Sequence, residues 1–540
     1  MGEDRITRRT LLARCGQGAL VAGASWVAAC GIGGTSNPSG ATGDTPAAGS
    51  EGRPVHGGTL TVGVMTGGSA ETLEPGLINQ WPDSTRGPML YNQLFTVNED
   101  LTLLPGLAVS AESNNTADVW TLKLRDGVTW HDGKQFGADD VVAAFQGWSE
   151  TSNFNYGTLD GIVDFTRVRK RGNLDVEVPL LRPVVQFPTL LTIWTAQVPQ
   201  AGSTPASFQK HPIGTGPFTF ESFTPGKRSV FVRNPDYWED GKPYVDRIIV
   251  DSSFTDESAR LNALLSGQIN ALELIPFQTA KRQGDNGTMK ILRSQGGQNY
   301  TITFRIDLAP FDDVRVRRAM KLIFDRQQIV DNALAGFARP ANDVVGAPGI
   351  PYFDDSLRAQ HDPEKAKALL KAAGHEGLAF TLPVAPAAPG FVEAATLFAE
   401  QAKAADVKIT LENIPTANYW SPTPGNYTYR QIQLDATPGY PSLDAYYRAY
   451  LTTGAPAGAS HWGSKEHDQE IYDAMAETDP ARAKERWAAV QRDQFDNGGI
   501  VVYADTDWVD AVAPNVNGLR AGRAFPFNNF RWQDGWINSR

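Results

Sequence analysis

Cysteine is nearly absent. The 540 residues hold two, Cys15 and Cys30, both within the first thirty positions. Downstream of Cys30 the chain therefore has no disulfide, cysteine nucleophile, CxxC redox pair or thiolate zinc site. A core drawn from 41% hydrophobic residues is large enough to stand without disulfide staples. Basic charge is also short. The 49 Lys and Arg face 60 Asp and Glu, for a formal net charge of −11. A nucleic-acid partner demands a basic footprint, so that class is excluded. No apolar run is long enough to cross a bilayer. The seven histidines, His56, His131, His211, His361, His375, His461 and His467, are scattered. No HExxH, Walker loop or GxSxG elbow occurs, and the G-x-G of "GTGPF" lacks the third glycine of a dinucleotide site. His461 and His467, six apart in a polar segment, could meet a metal, and exposed turns explain them equally. Acidic pairs are too common in a chain this long for pattern alone to exclude glycosidase-like carboxylates. The expectation is no catalytic residue, no metal and no cofactor.

What is present begins with an export signal. "TRRTLLARCGQGALVAGASWVAAC" places Arg8 and Arg9 before a weakly apolar, small-residue run that Arg14 interrupts early. This order reads as a signal peptide over 1–29. The paired arginines, with Leu11 and Leu12, are similar to a twin-arginine export motif, and "VAAC" at 27–30 resembles a lipobox. That resemblance implies cleavage before Cys30 and lipidation of its thiol. Residues 30–56, almost all Gly, Ser, Thr, Pro and Ala, cannot bury enough apolar surface to stay ordered and read as a tether.

The remainder is rich in rings, with 25 Phe, 15 Tyr and 13 Trp in the whole chain, and alternates strand and helix signals. "GGTLTVGVM" alternates Leu60, Val62 and Val64 with small or polar residues. "VWTLKLRDG" alternates Trp120, Leu122 and Leu124 and ends in an Asp126-Gly127 turn. The next stretch crowds His131 with Asp126, Asp132, Asp139 and Asp140. Val141, Val142, Phe145 and Trp148 recur at helical spacing, which puts Asp139 and Asp140 in a first helical turn, where free backbone N–H groups favour negative charge. The other two aspartates fall in turns. The cluster therefore reads as scaffold.

Further helices are expected at "DESARLNALLSG", ending at Gly267, and at "DDVRVRRAMKLIF", with Val316, Ala319, Met320, Ile323 and Phe324 on one face. "DRQQIV" begins another, with Asp325 as cap and Gln328 reciprocating. "DPEKAKALLKAAG" combines Asp362 as cap, Pro363 in the first turn and Gly374 as terminator. "GFVEAATLFAEQAKAA" and "DPARAKERWAAVQRDQF" complete the set. Mixed strands and helices imply layered α/β units.

Three extended blocks carry a resemblance: "WTLKLRDGVTWHDGKQFGADDV", "GTGPFTFESFTPGKRSVFVRNPDYWEDGKPYVDRI" and "PFDDVRVRRAMKLIFDRQQIVDNALAG". In this order, behind a lipoprotein-like signal, they resemble the extracellular solute-binding proteins of ABC importers in the peptide- and nickel-binding family, family 5. The resemblance implies an α/β, two-lobed periplasmic-binding-protein-like fold (type II, cluster C) with an extra subdomain on the N-terminal lobe. Carried over, lobe I comprises 57–97, 213–304 and 506–540, the extra subdomain 98–212 and lobe II 305–505. It also implies a cleft that closes on a small solute, an ABC permease as partner and no enzymatic activity. A monomer is expected, because cleft closure needs no partner subunit.

The solute class follows less directly. Peptide-binding relatives hold the ligand's amino terminus with an aspartate in a second-lobe loop, and this chain places Pro438 near that position. Asp435 and Asp444 are the candidate substitutes. Arg305 replaces an asparagine common in the family. Facing the cleft it would clamp an anion; facing solvent it is merely polar. Tyr419, Trp420, Tyr440, Tyr446, Tyr447 and Trp462 crowd the same region, and Trp81 in "NQWPDS" sits in an early loop that borders the cleft in relatives. Such rings stack on sugar C–H faces, line peptide side-chain pockets or simply build core. The candidate ligand-binding set is Trp81, Arg305, Tyr419, Trp420, Asp435, Tyr440, Asp444, Tyr446 and Trp462. A peptide is the first reading, an oligosaccharide or glycoside the alternative, and a metal chelate the least favoured.

Overall fold

The computed structural model describes residues 52–78, 80–284, 287–416, 419–420 and 426–538. The export signal, Cys30 and most of the expected tether lie outside the described residues. No helix among the described residues is long and apolar enough to cross a membrane.

Two sheets organise the chain. The first has seven strands, in the spatial order Lys290–Arg293, Val509–Val512, Ala271–Leu272, Thr59–Met65, Arg247–Phe254, Arg228–Arg233, Phe218–Thr224. Its centre pairs Thr59–Met65 in parallel with Arg247–Phe254 and with Ala271–Leu272. Leu60, Val62 and Val64 are buried as the alternation predicts. The second sheet runs Ala338–Pro340, Ile500–Thr506, Gln298–Phe304, Ile432–Pro438 and is antiparallel throughout. Both faces of its two inner strands are covered, so Gln298–Phe304 and Ile500–Thr506 are buried at every position.

The chain crosses between the sheets at 294–297 and returns at 507–508. Gln298–Phe304 thus pairs in the second sheet, between Ile432–Pro438 and Ile500–Thr506. The two crossings are tied side by side. Ser294 N donates to Trp508 O at 3.0 Å, Trp508 N to Ser294 Oγ at 2.9 Å, Gly297 N to Thr506 O at 2.8 Å and Gly296 N to Asp507 Oδ1 at 2.8 Å.

A third, four-stranded sheet, Ala108–Ser113, Val119–Leu124, Asp175–Pro179 and Arg169–Lys170, falls wholly within 98–212. There the "HDG" cluster resolves into scaffold contacts. His131 Nδ1 accepts from Gly214 N at 3.2 Å, and its Nε2 lies 3.0 Å from Gly216 O, so a neutral ring satisfies both. A Cβ on Gly214 would lie 1.7 Å from Leu90 O. The glycine is thus required for the close approach that His131 clamps. Asp140 accepts from Gly137 N (3.0 Å), Ala201 N (3.0 Å) and Trp130 Nε1 (3.1 Å).

The helix caps follow the sequence reading with one exception. Asp362 caps Pro363–Ala372, and Gly374 adopts φ +78° beyond its end. Asp325 accepts from Gln328 N at 3.0 Å, but Asp325 N donates to Gln401 Oε1 at 3.1 Å instead of to the Gln328 side chain. A side chain from a distant helix replaces the local partner, which spacing along one segment does not reveal.

Candidate functional site

A cavity of about 640 Å³ lies between the two lobes, with Ser152, Phe154 and Trp194 also in its lining. One wall comes from the segment 69–81. It is held by Arg86, on the buried face of helix Trp81–Leu90. The Arg86 guanidinium pairs with Glu71 at 2.8 Å and donates to Ser229 Oγ (2.8 Å) and Ser252 Oγ (2.7 Å), while Glu71 Oε1 accepts from Gly67 N at 2.8 Å. Asp83 adds a bond from Thr72 N at 3.0 Å, and burial pushes its carboxyl up to about 8. This network carries Glu71, Glu74 and Trp81 to the cavity edge.

The aromatic lining is continuous on the first-lobe side. Trp81 stacks on Trp508 (5.7 Å, 28°), Trp508 on Phe525 (6.1 Å), and Phe525 meets Trp194 edge-on (5.9 Å), which in turn meets Phe154 (4.9 Å). Trp508 belongs to a crossing between the sheets, so the hinge itself contributes a ring to the site. The second lobe contributes Trp420, Tyr427, Tyr450, Asp435 and Pro438. Trp420 meets Tyr427 edge-on at 5.6 Å. Tyr427 donates its hydroxyl hydrogen to Asp435 Oδ2 at 3.0 Å, and Ala436 N donates to Oδ1 at 2.7 Å. Burial pushes the Asp435 carboxyl up to about 7, against the pull of these two bonds.

Of the sequence candidates, Trp81, Trp420 and Asp435 line this cavity. The other six lie outside its lining, each for a visible reason. Arg305 sits just past the far end of strand Gln298–Phe304, roughly 24 Å from Gln298 at the cavity by strand rise, and its guanidinium is taken by Asp307 (Nε to Oδ1, 2.9 Å). Tyr419 is fully buried behind Trp420, and its hydroxyl donates to Leu434 O at 3.0 Å. Tyr440 and Tyr446 pack edge to face at 5.0 Å in the core, with Tyr440 lining a separate small void of about 30 Å³. Asp444 is buried in the first turn of helix Leu443–Tyr450, where burial raises its carboxyl to about 7. Trp462 stacks on His467 at 4.0 Å. Sequence reading missed Glu71, Glu74, Phe154, Trp194, Tyr427, Tyr450, Trp508 and Phe525.

The arrangement can enclose a small solute between rings and carboxyls. Among the described residues no histidine lines it. The one group of three metal-ligating side chains among the described residues, His467, Glu470 and Asp493, lies outside the cavity.

Comparison with known proteins agrees with this geometry. Residues 102–458 match the model of the bacterial extracellular solute-binding proteins, family 5 Middle. The chain is 25% identical to the dipeptide-binding protein of Escherichia coli (strain K12) over 492 residues, covering 84% of this chain and 90% of that one. Among solved structures, the binding protein AgaA from A. tumefacien R10 in complex with agropinic acid superposes with a TM-score of 0.78 at 21% identity, over 89% of this chain and 99% of that one. The ABC transporter-associated periplasmic binding protein DppA from Helicobacter pylori, in complex with the peptide STSA, gives 0.78 at 18% identity, over 90% and 99%.

Proposed function

Because the chain belongs to the bacterial extracellular solute-binding proteins of family 5, we propose that it captures a peptide-like solute between its lobes and delivers it to the permease of an ABC importer. The observation that carries this reading is the interlobe cavity of about 640 Å³, lined from both lobes and large enough for a short peptide. Closure is favoured by solute contacts that need both lobes at once, Trp81 and Trp508 on one side and Trp420 and Asp435 on the other. The paired crossings at 294–297 and 507–508 absorb the rotation. The closed form presents both lobes to the permease, ATP is spent there, and this chain binds without turnover as a monomer. Cys30, in its lipobox-like setting, anchors the chain by lipid to the outer face of the cytoplasmic membrane, with the Gly/Ser-rich stretch as tether. The similarity to a dipeptide-binding protein supports the peptide class.

An oligosaccharide or glycoside is the second reading, and the stacked Trp81–Trp508 pair is what favours it, since sugar C–H faces lie against such rings. A metal chelate is less favoured. Native mass spectrometry of the full chain purified from its host, followed by denaturation and identification of what is released, separates these. Peptide masses at one per chain are expected. A discrete sugar mass would move the assignment to the second reading. Retention of neither, with no thermal shift in peptide or glycan libraries, would overturn both.

A further inference from the structure

The charge of the cavity narrows the solute. Three side chains in its lining are acids, Glu71, Glu74 and Asp435, and no Lys, Arg or His lines it among the described residues. The three acids are not equivalent. Glu71 is neutralised by Arg86 at 2.8 Å. Among the described residues Glu74 and Asp435 have no basic partner: Glu74 is partly buried, its carboxyl raised by burial, and Asp435 accepts from the Tyr427 hydroxyl and the Ala436 N–H. They stand on different lobes, so a cation between them is attracted from both sides, most strongly in the closed form. The same lining holds the rings Trp81, Trp420, Tyr427 and Trp508, and aromatic faces also attract cations.

We propose that this cavity selects an organic cation that brings no carboxylate of its own into it, such as an amine-bearing peptide whose C-terminus is capped, recognised by Glu74 and Asp435 across an aromatic box. The inference rests on the peptide-like reading of the solute but is separable from it. A buried carboxylate on the ligand would meet no cation and two acids, and an unpaired buried charge is costly. A buried ammonium meets two unpaired carboxyls and several ring faces. Asp435, its carboxyl pushed up to about 7 by burial, is partly protonated near neutrality, and that fraction releases its proton as the ion pair forms. Were Asp435 present only to receive the Tyr427 hydrogen, asparagine would serve as well, which makes the isosteric variant informative.

The test is calorimetry on the full chain with one tripeptide in four forms. These are Ala-Phe-Ala as free acid, C-terminal amide, N-acetyl acid and N-acetyl amide, with tryptamine and indole-3-acetate as a non-peptide pair. The expected order puts the cationic amide first, about tenfold or more above the zwitterionic acid, and the N-acetyl acid last. In Asp435→Asn and Glu74→Gln the ratio between the cationic amide and the neutral N-acetyl amide falls toward one. Equal or tighter binding of the free acid, or a ratio that both variants leave intact, overturns the charge inference while the peptide reading stands. Binding of tryptamine but of no tripeptide keeps the charge inference and overturns the peptide reading. Binding of no probe in either set overturns both.

Discussion

Arg448, in helix Leu443–Tyr450, donates its Nε hydrogen to the carbonyl oxygen of Thr158, in helix Phe154–Leu159, at 3.1 Å. The same guanidinium reaches Gly157 O at 3.0 Å and Asp160 O at 2.7 Å, so it closes the C-terminal end of helix Phe154–Leu159 with three bonds. It is 2% exposed and takes its remaining contacts from Thr452 Oγ1 and the Tyr472 hydroxyl, with no carboxylate among them. A buried charge hydrogen-bonded to neutral oxygens alone, three of them carbonyls at the end of the facing helix, is stable only while the two sides meet. Arg448→Ala is therefore expected to open the unliganded chain. The radius of gyration in small-angle scattering should rise, and stability should fall by about 3 kcal/mol. Unchanged scattering and melting would remove the latch.

His131 gives a pH dependence of stability. Burial lowers its folded pKa to about 4, from an ordinary value near 6.5. The unfolded chain binds this proton first, so the stabilisation is full above pH 6.5 and is lost as pH falls toward 4. The expected loss is on the order of 2 kcal/mol across that window. Urea unfolding at pH 7.5 and 5.0 should show it, and His131→Asn should be destabilised at pH 7.5 yet flatter between the two. His131→Ala should lower stability and leave solute affinity unchanged, because its partners are Gly214 and Gly216 and not the cavity.

Asp435 gives a pH dependence of binding with a different midpoint. Only its ionised form attracts a cation, and burial holds its pKa at about 7. The groups packed around it, Tyr427, Tyr440 and Tyr450, are pushed well above their ordinary range and stay uncharged near neutrality. Affinity for the tripeptide amide should fall as pH drops through about 7, and Asp435→Asn should flatten that profile. A wild-type profile already flat from pH 6 to 8 would contradict this.

Arg305→Ala should change solute affinity less than about twofold, since its guanidinium serves Asp307 at the remote end of its strand. A larger loss in titration, with melting unchanged, would return Arg305 to the site.

Much of the scaffold was legible in the sequence because local rules govern it. Alternation placed Leu60, Val62 and Val64 inward, Asp362 and Gly374 marked both ends of one helix, and the aspartates around His131 fell where turns and helix starts need acceptors. The cavity was legible only in part. Trp81, Trp420 and Asp435 belong to it, but nothing local distinguishes them from Tyr419, Tyr446 or Trp462, whose rings are spent on core packing. Glu71 and Glu74 were missed because their placement depends on Arg86 and on strand residues Ser229 and Ser252, far along the chain. Which sheet Gln298–Phe304 joins was not legible, because a fully buried strand reads the same in either sheet.

The most direct test of the central claim is a titration of the Ala-Phe-Ala amide into the full chain and into Ala387→Trp, which fills the cavity from a loop. One solute per wild-type chain, with affinity reduced at least about a hundredfold in a variant that melts normally, is the predicted result. Equal affinity in the two proteins would place the solute elsewhere and contradict the account.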